Sequence, residues 1–182
     1  MKLSHCFRDP ALAQLAFTHR SAGRPNNERL EFLGDALLGA IVAELLYEEH
    51  PKASEGELSR LRAQLVNGHA LAVVARELEL GDELKLGPGE LKSGGFRRDS
   101  ILADAFEALV AAVYVDAGFE ACRDFVRDLF RKRVAVLRRS SKDAKTRLQT
   151  PLQSGGWTLP QVELVDSHGE DHTKPFDVSC SI

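Results

Sequence analysis

Residues Ile101 to Val115 read ILADAFEALVAAVYV, and only Asp104 and Glu107 in that run are charged. Three residues apart, they share a face if the segment is helical. Nearly everything around them is apolar, so the helix is expected to be largely buried. A carboxylate taken out of water costs several kcal/mol unless a basic partner or a metal ion compensates it. The run holds no Lys, Arg or His, which makes a divalent cation the leading candidate. A second acidic row stands in NERLEFLGD, residues 27 to 35. At 100° per residue, Glu28, Glu31 and Asp35 fall within roughly 60° of one another on a helical wheel. Leu30, Leu33, Leu37 and Ile41 fall on the opposite side. Carboxylates on two helices suit hydrolysis by an activated water, because magnesium prefers carboxylate oxygens and acidifies a nearby water. No arrangement of Ser or Cys with a base suggests covalent catalysis.

Each row also has a plainer reading. Glu28, Glu31 and Asp35 alone suit a solvated helix face. Asp104 and Glu107 alone suit buried salt bridges to Arg97 or Arg98. His19 reads as a hydrogen-bonded structural residue, Glu55 as a first-turn helix acid, and Trp157 as packing.

The elements that must carry these residues are mainly helical. Asp9-Pro10 predicts a helix start, with the helix running to about Phe17. Ser21 to Asn26 reads as a loop. The long acidic helix follows and continues as ALLGAIVAELLY, apolar almost all round and therefore central, to near His50. Ser54 with Glu57 predicts a capping box. Asn67-Gly68 interrupts that helix, and a further one reaches about Glu79. Gly81 to Gly95, with five glycines and one proline, reads as an extended loop. The buried acidic helix starts near Asp99 and stops at Gly118. A last helix is expected over Glu120 to Arg138, with Phe125, Leu129 and Val136 on its apolar stripe. Ser140-Ser141-Lys142 reads as a linker. A short helix bearing Leu148 and Leu152 comes next. Val162 and Leu164, then Phe176, Val178, Cys180 and Ile182, alternate as strands do, joined by a hairpin at His168-Gly169-Glu170.

The 182 residues leave room for one substantial domain and a small second one. A 43% hydrophobic content is too high for a disordered chain. The net charge of −3, from 24 basic and 27 acidic residues, shows no bulk preference for nucleic acid, although clustered basic residues would not need one. No apolar run is long enough to span a bilayer, and the start lacks the core of a secretory signal. Cys6, Cys122 and Cys180 have neither metal-ligand nor disulfide spacing, so a reducing, cytoplasmic setting is expected.

NERLEFLGD, followed by SGGFRRDSILADAFEAL at residues 93 to 109, resembles bacterial ribonuclease III. The likeness extends from FTHRS at Phe17–Ser21 to the last strand. It implies an all-α endonuclease domain (residues 1–139) acting as a homodimer on double-stranded RNA. Both strands would be cut, leaving 5′-phosphate and 3′-hydroxyl ends with short 3′ overhangs. Processing of rRNA precursors and of some mRNA and tRNA transcripts is implied as well. By the same resemblance Glu31, Asp104 and Glu107 are magnesium ligands, with manganese a substitute, and Asp35 and Glu107 are catalytic. Glu28 and Glu55 match acids that hold a second metal or its waters, and Phe32 matches an aromatic that plugs a socket in the partner subunit. Arg97 and Arg98 are candidate phosphate contacts. No membrane and no organic cofactor is implied.

Residues 140–182, KDAKTRLQTPLQ and two strands, are similar to the start of an α+β double-stranded-RNA-binding domain. Gln149, Gln153 and His172 match its minor-groove positions. Thr150-Pro151 departs from the family pattern, and Pro151 falls inside the helix. The family's third strand and basic closing helix are not in the sequence, so this part is expected to be incomplete, partly disordered and to add little RNA affinity. Two other functions remain to be weighed. One is a non-catalytic RNA-binding relative, against which the intact acid set speaks. The other is an all-α nucleotide pyrophosphohydrolase, whose acidic pairs usually lie closer in sequence.

Overall fold

The computed structural model describes residues 5–154, 161–167 and 176–181, with side chains described from His5 to Leu137. The chain divides into two compact units, Met1–Leu137 and Arg138–Ile182.

In the first unit the sequence signals place the helices where they are expected. Asp9 caps α1 (Pro10–Ala16) by accepting from the Ala11 N–H. Helix α2 covers Glu28–Glu49. The Ser54–Glu57 capping box opens α3 (Glu55–Val66). Asn67 ends α3 and caps α4 (Gly68–Glu77) through the Ala70 N–H. Residues 81–95 are not an extended loop. They hold a short helical turn at Leu80–Glu83, helix α5 at Pro88–Lys92 and a second turn at Gly95–Arg97. Pro88 sits at a first-turn position of α5, where its fixed φ and missing N–H favour a helix start, and this outweighs the neighbouring glycines. The loop expected at Ser21 to Asn26 likewise begins inside a helical turn, Arg20–Ala22.

Helix α6 (Asp99–Ala117) is the central element, buried at Ile101–Ala103, Ala105, Phe106 and Ala108–Val113. It packs on α2, α4 and α1. Its alanines Ala108, Ala111 and Ala112 meet Ala16 and Leu30 in a small cluster of their own. Asp116, at the far end of α6, accepts from the N–H groups of Arg8 and Asp9 and thereby ties down the start of α1. Helix α7 spans Phe119–Ser154. Arg123 grips Glu44 of α2 through two hydrogen bonds, and Arg127 bonds Glu48.

Helix α7 departs from the expected stop at Arg138 and the expected linker at Ser140–Lys142, since the backbone is helical through both. Between Gly118 and Pro151 the sequence has no glycine or proline, and Ser and Lys are only mildly unfavourable in a helix. In the second unit β1 (Gln161–Ser167) and β2 (Phe176–Ser181) pair antiparallel, with Val162 opposite Cys180 and Leu164 opposite Val178. Trp157 and the expected hairpin at 168–170 lie outside the described residues.

The α2 core stripe also differs from the wheel. Leu30, Gly34, Leu38 and Ile41 are buried, whereas Leu33 and Leu37 are only half-buried. The cause is Gly34. A Cβ placed there would stand 1.8 Å from the Glu107 carbonyl oxygen, so the α6 backbone occupies the space a side chain would need. Helix α6 therefore lies over the line 30–34–38–41, and Glu31 and Asp35 flank the crossing instead of facing away from it. Gly39 in the same helix has nothing within 4 Å of an added Cβ. The two glycines should respond oppositely to alanine. Gly39→Ala should raise unfolding stability by about 0.5–1 kcal/mol through helix propensity alone. Gly34→Ala should lower it by about 3 kcal/mol through overpacking against backbone. Urea denaturation of the two variants measures both changes.

Candidate metal centre

Glu31 comes from α2, and Asp104 and Glu107 come from α6. Each offers an oxygen, and the three oxygens lie within 4.8 Å of one another. All three residues are half-buried. The crossing at Gly34 produces this convergence, because Gly34 lies between Glu31 and Asp35 on one helix and meets Glu107 on the other. The start of α2 is fixed by Asn27, which is 2% exposed. Its N–H donates to the Thr18 carbonyl and its Nδ2 to the Ala16 carbonyl.

The charge of the cluster is compensated only in part. Burial first, and then repulsion from Asp35, Asp104 and Glu31, push the Glu107 carboxyl up from 4.5 to about 8. Burial also raises Glu31, as do Asp104, Glu28 and Asp35, while Arg20 opposes the shift. Asp104 is raised by burial against the pull of His19 and Arg20. Among the described residues no basic side chain forms an ion pair with any of the three. The salt bridges considered for Asp104 and Glu107 are not made: Arg98 pairs with Glu90, and Arg97 lies over the Phe96 ring. An all-carboxylate donor set held half out of water fits a hard divalent cation such as magnesium or manganese.

The other candidate residues fall into distinct places. Asp35 is exposed and acts electrostatically on both Glu31 and Glu107. Glu28 is exposed and stands 3.8 Å from Arg20. Glu55, at the start of α3, accepts a hydrogen bond from Ser59 and is not in the three-carboxylate group. Phe32 is 81% exposed. Arg97 and Arg98 are exposed just ahead of α6. Gln149 and Gln153 fall on α7 beyond the described side chains, and His172 lies outside the described residues. His19 is buried and bonded to Ser21, as a structural residue should be. Gly34 and Asn27 are the positioning residues missed by the sequence reasoning. Gly34 carried a signal: a glycine inside an otherwise strong helix costs about 1 kcal/mol and calls for a packing reason.

A family model described as ribonuclease-III-like matches residues 9–134. Ribonuclease 3 of Nitrosococcus oceani is 55% identical over 185 residues, covering 100% of this chain and 79% of that protein. Ribonuclease 3 of Xanthomonas axonopodis pv. citri is 55% identical over 180 residues, covering 98% and 80%. The solved nuclease domain of ribonuclease III from Campylobacter jejuni, reported with structural flexibility in a region involved in dimer formation, superposes with a TM-score of 0.69. It is 43% identical and covers 71% of this chain and 91% of that one. Among the described residues no helix is long and apolar enough to cross a membrane.

The direction of the Glu107 shift sets a pH dependence. The folded state holds the proton more tightly than the unfolded chain. The stability this confers is complete below about pH 4.5 and is lost as pH rises through about 8. Without divalent cation, the thermal midpoint should therefore fall over that window. Glu107→Gln should flatten the fall and stabilise the cation-free protein near pH 8 by about 2 kcal/mol, after allowance for partial solvent screening. Melting curves in chelator across the pH range check this.

Proposed function

The chain belongs to the ribonuclease III family, and from that premise we propose that it cuts both strands of double-stranded RNA at the Glu31–Asp104–Glu107 cluster. The products are 5′-phosphate and 3′-hydroxyl ends with short 3′ overhangs. The observation that carries this reading is the convergence of three half-buried carboxylates from two helices within 4.8 Å.

Glu31, Asp104 and Glu107 would hold the cation, magnesium, with manganese as a substitute. When bound, it supplies an acidified water and neutralises charge building on the phosphate. Burial and the acids around it hold the Glu107 carboxyl well above the usual carboxylate range, and a bound cation would offset that repulsion. Asp35, exposed beside the cluster, orients the attacking water. Glu28 and Glu55 serve a second metal or its waters. Arg97 and Arg98 contact the RNA backbone ahead of α6. Residues 140–182 resemble a double-stranded-RNA-binding domain in sequence, and Gln149, Gln153 and His172 match its minor-groove positions. The substrates are duplex regions of ribosomal RNA precursors and of some mRNA and tRNA transcripts.

The active form is a homodimer. Phe32 projects into solvent from α2. The start of α2 also borders an open depression whose apolar floor is Leu15, Pro25, Leu30, Leu33 and Val115 and whose polar lining is Arg24, Asn26, Glu28 and Arg29, with Val115 52% exposed. A two-fold axis beside α2 would place each Phe32 in the depression of the other copy, the self-complementary contact that an isologous dimer requires.

Two measurements test this reading. Purified protein with a defined RNA duplex should yield discrete shorter duplexes only when magnesium is present, and Glu107→Gln should reduce cleavage at least ~10³-fold while leaving fold and oligomeric state intact. Cleavage retained by Glu107→Gln would refute the site. Phe32→Ala should weaken dimerisation by about 2–3 kcal/mol, read by sedimentation equilibrium, with the helical content of the monomer unchanged.

A further inference from the structure

The turn Arg20–Ala22 is tied down from several directions. The His19 N–H donates to the Lys85 carbonyl (3.1 Å), and the Lys85 N–H donates to the Phe17 carbonyl (2.8 Å). The Asn27 N–H donates to the Thr18 carbonyl (2.8 Å), which joins the same segment to the start of α2. Within the turn, Ala22 N–H donates to His19 and Gly23 N–H to Arg20. His19 is 8% exposed. Its Nδ1 lies 2.8 Å from Ser21 Oγ and accepts from the Ser21 N–H. Ser21 Oγ in turn accepts from the Gly87 N–H at 2.9 Å. Position 87 has to be glycine, because a Cβ there would stand 2.2 Å from the Ser21 carbonyl oxygen.

From this anchored turn the Arg20 side chain extends into solvent, 72% exposed. Its NH1 stands 3.8 Å from Glu28 Oε1, beyond hydrogen-bond distance. Glu28 precedes Glu31 by one helical turn. The charge of Arg20 opposes the upward shift that burial gives to Glu31 and Asp104, which puts it within electrostatic range of the cluster. A cluster of acids repels a phosphodiester. A guanidinium on a fixed backbone, held only by a long and exposed ion pair, can leave that pair at little cost. Its planar fork matches two phosphate oxygens.

We propose that Arg20 binds the non-bridging oxygens of the phosphate being cut, at the rim of the Glu31–Asp104–Glu107 cluster, and that His19 and Ser21 are the positioning residues that aim it. The proposal rests on the duplex-RNA hydrolysis reading above.

The test is single-turnover cleavage by the full chain of a duplex with one cut site. The scissile phosphate is either unmodified or carries a phosphorothioate of each configuration. Arg20→Ala should slow cleavage of the unmodified duplex about 10- to 100-fold, the value of one charged hydrogen-bonding contact. Arg20→Lys should recover part of the loss, and the thermal midpoint and oligomeric state should not change. For one of the two configurations, the penalty that sulfur imposes on the wild type should shrink in Arg20→Ala, because the contact sulfur weakens is already gone. Two results overturn the proposal: wild-type rates in Arg20→Ala, or a slower variant whose sulfur penalties match the wild type for both configurations. A wild-type protein inert on the duplex with magnesium removes both this proposal and the reading beneath it. Active wild type with unimpaired Arg20→Ala removes this proposal alone.

Discussion

The closest approach of α2 and α6 governs the molecule. Where Gly34 faces the Glu107 carbonyl there is no room for a methyl group. This contact has two consequences that cannot be separated. It lets the two most apolar helices pack at backbone distance, so that Leu38, Ile41 and Val42 join Phe106, Leu109 and Val110 in one core. It also fixes the relative height of the helices, and with it the spacing of Glu31 against Asp104 and Glu107. A larger residue at position 34 would move the acids by the same displacement that loosens the core.

Stability and chemistry oppose each other at this crossing. Burial raises all three acids, Asp104 adds to the shift of Glu31, and Asp104 and Glu31 add to that of Glu107, which is pushed up to about 8. The surrounding fold absorbs that cost. Asp116 anchors α1, Arg123 and Arg127 clamp α2 to α7, and Asn27 fixes the start of α2. Each of these contacts lies outside the cluster, so none neutralises it. The charge is left for a cation to balance, as expected where binding energy is stored in a preformed ligand set.

Much of this was legible in the residues themselves. The caps at Asp9, Ser54 and Gly118 gave helix boundaries because cap chemistry is local. Asp104 and Glu107 stood out because acids in an apolar run need an explanation. The misreadings share a different cause. The wheel put Leu33 and Leu37 in the core because an isolated helix carries no information about its neighbour, and Gly34 determines which line α6 covers. The glycines of residues 81–95 suggest a loop, but the helix-starting position of Pro88 decides the local structure. Ser140 and Ser141 suggest a linker, but serine interrupts a helix only weakly and α7 runs through them. Arg20 carries no local signal of this kind, because the turn that presents it is held by the Ser21–Gly87 contact between residues far apart in sequence.

The central claim, that these two helices build one cation site, is tested most directly by a crystal structure of the protein grown with manganese, with anomalous scattering recorded. A strong anomalous peak bonded to Glu31, Asp104 and Glu107, across an α2–α6 crossing still closed at Gly34, is the predicted result. Manganese bound elsewhere while these three carboxylates point apart would contradict the account.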